Sequence, residues 1–154
     1  MLPHWELIAR LIIAALLGGF IGFEREYSNK DAGLRTHMLV SMGACLFMIV
    51  SAFGFNESLS NPSVHLDPSR VAAQVASGIG FLGAGSILLR GKFIAGITTA
   101  ASIWTVAAVG LAVGGGLYIE AISGSLVVLS ILVGVGYFER SVIKKHKKHR
   151  KKSK

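Results

Sequence analysis

The stretch IAGITTAASIWTVAAVGLAVGG, Ile94–Gly115, contains no charged side chain over a length that would carry a helix across a membrane. A helix needs ~20 apolar residues to cross the ~30 Å of lipid hydrocarbon. Four further stretches of similar length and apolar character accompany it: Leu7–Phe23, Thr36–Phe55, Val71–Leu89 and Leu117–Phe138. Because backbone polar groups in lipid must bond to one another, we predict five transmembrane helices and an all-α integral membrane protein.

The positive charges of the chain predict how these five helices are oriented. Of the 16 lysine and arginine residues, 14 lie in the gaps after the first and third spans or after the fifth span. Arg70 lies in the gap after the second span, and Arg10 lies within the first span. Because loops rich in lysine and arginine stay in the cytoplasm, we predict an amino terminus outside and a carboxyl terminus inside.

The last fifteen residues differ in composition from the rest of the chain. We divide the sequence into a transmembrane domain at residues 1–139 and a basic cytoplasmic tail at residues 140–154, and we expect no soluble domain after the last helix. The tail follows a membrane span directly, so we expect anionic lipid, at ~1 kcal/mol per basic residue, rather than nucleic acid as its partner. The alternatives are a solvated tail that only fixes orientation and a tail that binds RNA or a cytoplasmic protein.

Two short segments of the first pair of helices recur in the second pair. Gly19–Gly22 (GFIG) is echoed by Gly80–Gly83 (GFLG), and Ala32–Thr36 (AGLRT) is echoed by Ala95–Thr99 (AGITT). The echo predicts two tandem helical hairpins in the same orientation, followed by a fifth helix. A chance similarity among residues that are common in membranes is the alternative.

The third span carries a run of four glycines: Gly78, Gly80, Gly83 and Gly85. The run spells the G-x-G-x-x-G of dinucleotide-binding proteins, but that motif works in a turn between a strand and a helix, not inside an apolar span. We therefore exclude nucleotide binding and predict a surface for close packing of another helix, within the chain or in a second copy. An unwound segment that exposes carbonyl groups to an ion is the alternative.

Carboxylates gather on the predicted outer face, at Glu6, Glu57, Asp67 and Glu120. Such a face attracts cations, and carboxylates are ligands of Mg²⁺. The sequence Asp67-Pro68-Ser69-Arg70 is also typical of a helix start, with Asp67 as the N-cap. We predict the cap, with a direct metal ligand as the alternative, and assign no metal site.

Several polar residues are predicted within or at the ends of the spans. Arg10 lies one helical turn from Glu6. We therefore expect either an ion pair between the two side chains or an Arg10 side chain that extends toward the membrane surface. The amide of Gln74 needs partners in hydrocarbon and should face the bundle. At the cytoplasmic ends of spans one to four we expect a functional centre, with Glu24 and Arg35 as a charge pair. The alternative is that this pair only locks the first hairpin.

We expect the two hairpins to bring their polar residues together in this centre. The expected participants are Glu24, Arg25, Arg35 and His37 from the first hairpin and Ser86, Arg90, Thr98 and Thr99 from the second. No Ser/His/Asp, Cys/His or phosphate-loop set can be assembled, and Cys45 is the single cysteine. We therefore predict that the chain is not an enzyme and needs no cofactor, with Mg²⁺ as the one ion to consider.

Four ordered blocks of the sequence strongly resemble the MgtC/SapB family. The blocks are Ile21–Glu26 (IGFERE), Ala32–His37 (AGLRTH), Asp67–Gly85 (DPSRVAAQVASGIGFLGAG) and Gly96–Trp104 (GITTAASIW), within a resemblance that covers about residues 7–138. The residues that match the family's motifs are Glu24, Arg25, Arg35, Thr36, Asp67, Arg70, Gln74, the four glycines, Thr98, Thr99 and Trp104. The resemblance does not say which of them are ligands.

The resemblance implies a multi-pass protein of the bacterial inner membrane that supports survival in low magnesium and, in some pathogens, growth inside macrophages. It implies a regulator of membrane partners, such as the F-type ATP synthase or P-type magnesium pumps. A small oligomeric transporter or channel for Mg²⁺ or another cation is the alternative. Many members carry a cytoplasmic ACT-type domain after the last helix, where this chain has its basic tail. Five helices with small-residue faces also predict a homo-oligomer.

Overall fold

The computed structural model describes residues 2–55, 67–90 and 93–137. The α-helices are α1 (His4–Tyr27), α2 (Leu34–Phe53), α3 (Pro68–Gly85), α4 (Ile97–Gly114) and α5 (Tyr118–Ser130), and α5 continues into a π-helical segment at Ile131–Val135. Two strands, β1 (Leu88–Arg90) and β2 (Phe93–Ala95), connect α3 to α4. The prediction of five helices is confirmed. The predicted tail at 140–154 and Glu57 lie outside the described residues.

Four of these helices are long and apolar enough to cross a membrane: α1, α2, α4 and the helix at Tyr118–Val135. Large apolar side chains point away from the bundle, such as Phe20, Phe23 and Phe47, which are all more than half exposed. The chain is therefore a multi-pass membrane protein. α3 is less apolar because it carries Arg70, Gln74 and four glycines, so a fifth crossing stays a prediction, as does the orientation.

The connection between α3 and α4 differs from the predicted helices. We expected helix at Val71–Leu89 and from Ile94 onward, whereas Leu88–Arg90 pairs with Phe93–Ala95 as an antiparallel hairpin. The chain is therefore not purely α-helical. Gly96 explains the break, because its φ of +91° is left-handed and an added Cβ would overlap the Ser86 carbonyl oxygen. A continuous helix cannot pass through this residue.

Two glycines of α1 bring this helix into close contact with α2. A Cβ added to Gly18 would lie 2.5 Å from the His37 carbonyl oxygen, and one added to Gly22 would lie 2.8 Å from the Leu34 Cα. Both distances are too short for any side chain. The four-residue spacing of Gly18 and Gly22 is the G-x-x-x-G pattern that lets membrane helices approach closely.

A second pair of glycines brings α4 against the same helix. A Cβ added to Gly114 would lie 2.7 Å from the Cys45 carbonyl oxygen, and one added to Gly110 would overlap the carbonyl oxygen of Ser41. Gly110 and Gly114 have the same G-x-x-x-G spacing. α2 therefore packs against α1 and α4 with backbone against backbone, and this three-helix contact is the core of the bundle.

The glycine run of α3 is mostly open. Nothing in the described part of the chain lies within 4 Å of a Cβ added to Gly78, Gly80 or Gly85, whereas one added to Gly83 would lie 3.5 Å from the Ala100 carbonyl oxygen. Within the described part of the chain, the close helix contacts form at the two G-x-x-x-G pairs, and of the α3 run only Gly83 has a neighbour in contact. Packing of the run against a second copy stays a prediction.

Equivalent positions pack together in the two hairpins. Gly22 of α1 lies against His37 of α2, and Gly83 of α3 lies against Ala100 of α4. Gly83 follows Gly22, and Ala100 follows His37, by the same numbers of residues that separate the two echoed segments from their counterparts. The α1–α2 and α3–α4 hairpins thus share a packing position, as the prediction of tandem hairpins requires.

Candidate functional site

A charged cluster lies at the end of α1 that leads into α2. Arg25 is 4% exposed, and its Nε and one terminal nitrogen donate to the two carboxylate oxygens of Glu24 at 2.7 and 3.1 Å. The Ser28 hydroxyl donates to the same carboxylate at 2.8 Å. A bidentate bond to a carboxylate holds the guanidinium group in one orientation. The buried charge of Arg25 is therefore neutralised by its neighbour in sequence.

The predicted charge pair between Glu24 and Arg35 is wrong. Glu24 bonds to Arg25 and Ser28, and Arg35 is exposed in the first turn of α2. Instead, α1 is tied to the start of α2 by Glu26, whose carboxylate accepts a hydrogen bond from the backbone N–H of Leu34 at 2.8 Å. This role of Glu26 could not be predicted from the sequence, because its carboxylate comes next to the start of α2 only after the chain has reversed direction between α1 and α2.

His37 joins the first hairpin to α4. Its side chain is 0% exposed, and its Nε2 lies 3.0 Å from the Ser102 Oγ. Thr99, one turn earlier on α4, is also buried, and its carbonyl accepts a hydrogen bond from the Ser102 hydroxyl at 2.8 Å. The expected meeting of the two hairpins therefore occurs, through His37 and Ser102. Ser102 lies within the uncharged stretch Ile94–Gly115, but its spacing in the sequence does not indicate a contact with His37.

The other predicted polar residues do not join this cluster. Thr36 and Thr98 are exposed in the first turns of α2 and α4, and Trp104 is 52% exposed along α4. The Ser86 hydroxyl donates to the Gly83 carbonyl oxygen within its own helix end. The centre thus consists of Glu24, Arg25, His37 and Thr99, with Ser102 added. Of the remaining candidates, Arg35 is exposed and Ser86 is half-buried, and the side chain of Arg90 lies outside the part of the chain that the structure describes.

A groove with a volume of about 670 Å³ runs between α2 and α3. Its lining is apolar apart from Gln74, and it includes Gly43 and Gly78, whose missing side chains leave open space. We predicted that Gln74 faces the interior of the bundle. Instead, its side chain is exposed in this groove. The reason is that α1 and α4, not α3, occupy the close contacts with α2.

Arg10 anchors the opposite end of the bundle. Its guanidinium group donates to the Gly114 carbonyl oxygen at 2.7 Å and to the Glu6 carboxylate at 2.9 Å, which confirms the expected pair with Glu6. The group also lies 5.6 and 5.8 Å from the ring centres of Phe53 and Tyr118. One buried side chain thus connects α1, α2, the end of α4 and the start of α5. The contact with Gly114 could not be found from sequence spacing.

Asp67 is the N-cap of α3, as predicted from the sequence. Its carboxylate accepts hydrogen bonds from the backbone N–H and the hydroxyl of Ser69, at 3.0 and 2.5 Å, and Pro68 follows at the start of the helix. These bonds hold the pKa of the Asp67 carboxyl below its usual range, because they favour the charged form. Arg70, in the same turn, is exposed.

The candidate metal ligands of the sequence are dispersed. Within residues 2–55, 67–90 and 93–137, no three His, Cys, Asp or Glu side chains come together in a way that could hold a metal ion. Glu6 is engaged with Arg10 and Asp67 with Ser69, while Glu120 is exposed at the start of α5. The described residues therefore show polar contacts between helices rather than an assembled metal site.

Comparisons with known proteins agree on one family. The family model described as "MgtC family" matches residues 11–141. The chain is 55% identical over 127 residues to "Putative magnesium transporter YhiD" of Escherichia coli K12, a match that covers 82% of this chain and 59% of that protein. No solved structure matches the chain.

Two further relatives have similar coverage. "Protein MgtC" of Brucella abortus is 44% identical over 129 residues, which cover 84% of this chain and 51% of that protein. "Protein SapB" of Bacillus subtilis is 40% identical over 134 residues, which cover 84% and 58%. The chain thus spans between half and three fifths of the length of these relatives.

Proposed function

Because the chain belongs to the MgtC family, we propose that it is a non-enzymatic protein of the bacterial inner membrane that supports adaptation to low magnesium. It would do so by regulating a membrane partner, such as the F-type ATP synthase or a P-type magnesium pump. The name of the 55% identical relative YhiD supports the link with magnesium.

One observation favours regulation over transport: a buried guanidinium group lies near each end of the α1–α2–α4 core. Arg10 and Arg25 are 6% and 4% exposed and have neighbouring carboxylates as partners. A divalent cation that moved through this core would have to pass both positive groups and compete for their carboxylates. In a medium of low dielectric constant such repulsion is strong. The core is therefore better suited to holding helices together than to conducting Mg²⁺.

A small oligomeric transporter for Mg²⁺ or another cation is the second candidate. The name of YhiD favours it, since that name describes a magnesium transporter. The path would then run between copies of the chain, where the amide of Gln74 and the open backbone at Gly78 would offer oxygen ligands. In this case the α2–α3 groove would face the axis of the oligomer.

In either case we propose a homo-oligomer that forms through the α2–α3 groove. Among the described contacts Gln74 has no hydrogen-bond partner, and an amide in hydrocarbon gains from pairing with another polar group. Across a two-fold axis, Gln74 of a second copy would supply such a group. Gly43 and Gly78 would allow the helices to approach. The basic residues 140–154 would add contacts with anionic lipid.

We expect this chain to restore growth in low magnesium to a bacterium that lacks its own member of the family. Gly78→Leu should abolish both this growth and the homo-oligomer, because a leucine side chain would project into the groove where a helix of the second copy has to approach. The measurements are the growth rate at limiting Mg²⁺ and the oligomer size in detergent by cross-linking.

The control for this experiment is Gly124→Leu. Gly124 lies on α5 with similarly open space in front of it, but it does not line the α2–α3 groove. This variant should keep the oligomer and the growth. An unchanged oligomer and full growth in Gly78→Leu would refute the groove as the site of assembly.

A further inference from the structure

His37 has two hydrogen-bond partners inside the bundle, and neither the regulatory nor the transport function uses them. The ring is fully buried between α1, α2 and α4. Its Nδ1 lies 2.9 Å from the Gly33 carbonyl oxygen, one turn earlier, and its Nε2 lies 3.0 Å from the Ser102 Oγ. A histidine with both nitrogens in hydrogen bonds is held in one ring orientation. The partners of the two nitrogens therefore indicate which nitrogen carries a hydrogen in each protonation state.

The partner of Nδ1 decides which nitrogen carries hydrogen in the neutral ring. A carbonyl oxygen only accepts hydrogen bonds, so Nδ1 must be the donor toward Gly33. In the neutral ring Nε2 then carries a lone pair that points at the Ser102 hydroxyl. The site for an additional proton is therefore Nε2, at the contact between α2 and α4.

The Ser102 hydroxyl has one hydrogen and two acceptors within reach. It lies 3.0 Å from the His37 Nε2 and 2.8 Å from the Thr99 carbonyl oxygen. When His37 is neutral, Ser102 donates to Nε2. When His37 is charged, Nε2–H donates to the Ser102 oxygen and the hydroxyl turns to the Thr99 carbonyl. The Thr99 carbonyl lies inside α4, where the helix supplies its own backbone bond, so it tolerates either arrangement.

We propose that His37 is a proton-binding site built into the bundle, and that Ser102 keeps it hydrogen-bonded in both protonation states. The proton comes from water and adds to the Nε2 lone pair, and only the direction of one hydroxyl group changes. Burial alone disfavours a charged imidazole. The rotating hydroxyl offsets part of this cost, because it presents a lone pair to the new N–H. Protonation then alters the contact by which α2 holds α4.

The charged groups that act on His37 are Glu24 and Arg25, both on α1. The two side chains are bonded to each other, so neither presents an unpaired charge to the ring. On α4 the described neighbours, Thr99 and Ser102, are uncharged. Ser102 is the described group that bonds to Nε2, the nitrogen to which the proton would add.

Nitrogen NMR of ¹⁵N-histidine-labelled protein in lipid nanodiscs tests the proposal. His4, His65, His146 and His149 are replaced by Gln, so that His37 gives the one remaining imidazole signal. We expect Nδ1 to stay protonated while Nε2 changes from an unprotonated to a protonated nitrogen as the pH falls from about 8 to about 4. A ring that stays in one state across this range would overturn the proposal.

Variants of Ser102 test its role separately. Ser102→Ala should move the titration midpoint of His37 down by about one pH unit, because the charged ring loses its acceptor. Ser102→Thr keeps the hydroxyl and should keep the midpoint. The control is Ser125→Ala on α5, which removes an equally buried hydroxyl that donates to the Ala121 carbonyl at 2.8 Å. An unmoved midpoint in Ser102→Ala, or an equal move in Ser125→Ala, would contradict the assignment.

Discussion

Replacing Gly110 by alanine should strongly destabilise the protein. The added Cβ would overlap the carbonyl oxygen of Ser41 and lie 2.8 Å from its carbonyl carbon. Both are backbone atoms of α2, which cannot rotate out of the way as a side chain can. The helices α2 and α4 must therefore move apart, and the neighbouring contact of Gly114 with Cys45 is lost with them.

The expected loss is about 3 kcal/mol, at the upper end of the ~1–3 kcal/mol that overpacking a core usually costs. For a chain of this size such a loss lowers the midpoint of thermal unfolding by roughly 6–12 °C. The measurement is thermal unfolding of the purified protein in detergent, followed by circular dichroism or by size-exclusion chromatography after heating.

Gly124→Ala is the matched control for this prediction. Gly124 lies in the neighbouring helix α5, and within the described residues nothing lies within 4 Å of an added Cβ. Alanine there should leave the midpoint unchanged or raise it slightly, because alanine favours a helix by up to ~1 kcal/mol over glycine. Equal stability of Gly110→Ala and Gly124→Ala would show that α2 and α4 are not in backbone contact.

Replacing Arg10 by methionine should also cause a large loss of stability. The substitution keeps most of the side-chain volume but removes the bonds to Glu6 and Gly114 and the contacts with the two aromatic rings. Removal of one partner from a buried ion pair costs ~3–5 kcal/mol. We expect the lower end of this range because Glu6 is 27% exposed and water can solvate it. The measurement is again the midpoint of thermal unfolding.

Arg35→Met is the control, since it removes the same charge from an exposed position and should change stability by less than ~0.5 kcal/mol. The double variant Glu6→Gln with Arg10→Met should recover part of the loss, because no unpaired carboxylate is left. If Arg10→Met were no more harmful than Arg35→Met, Arg10 would not be the anchor that joins the helix ends.

The helices of this protein are predictable from its sequence because long apolar stretches have few other structures available in lipid. The helix boundaries at α3 and α4 were less predictable, since the β-hairpin depends on Gly96 reaching a left-handed conformation against Ser86. Periodicity and hydropathy do not reveal the backbone conformation of a single glycine. The four glycines of α3, three of them open, are conspicuous by their number, whereas the close backbone contacts belong to two less conspicuous pairs in α1 and α4.

The candidate site was predicted in outline but not in its contacts. Glu24, Arg25, His37 and Thr99 do lie at one end of the bundle, because the hairpin pattern brings the ends of α1, α2 and α4 together. The partners could not be read from the chain. Glu24 pairs with the adjacent Arg25, and His37 pairs with a serine on α4, which depends on the rotation of each helix about its own axis.

The most direct test of regulation against transport is Mg²⁺ flux into liposomes that contain the purified protein and a magnesium-sensitive dye. We expect no flux above that of empty liposomes, from the same protein that restores growth in low magnesium. A saturable Mg²⁺ flux that requires the folded protein, and is absent in Gly110→Leu, would contradict it and establish the transporter instead.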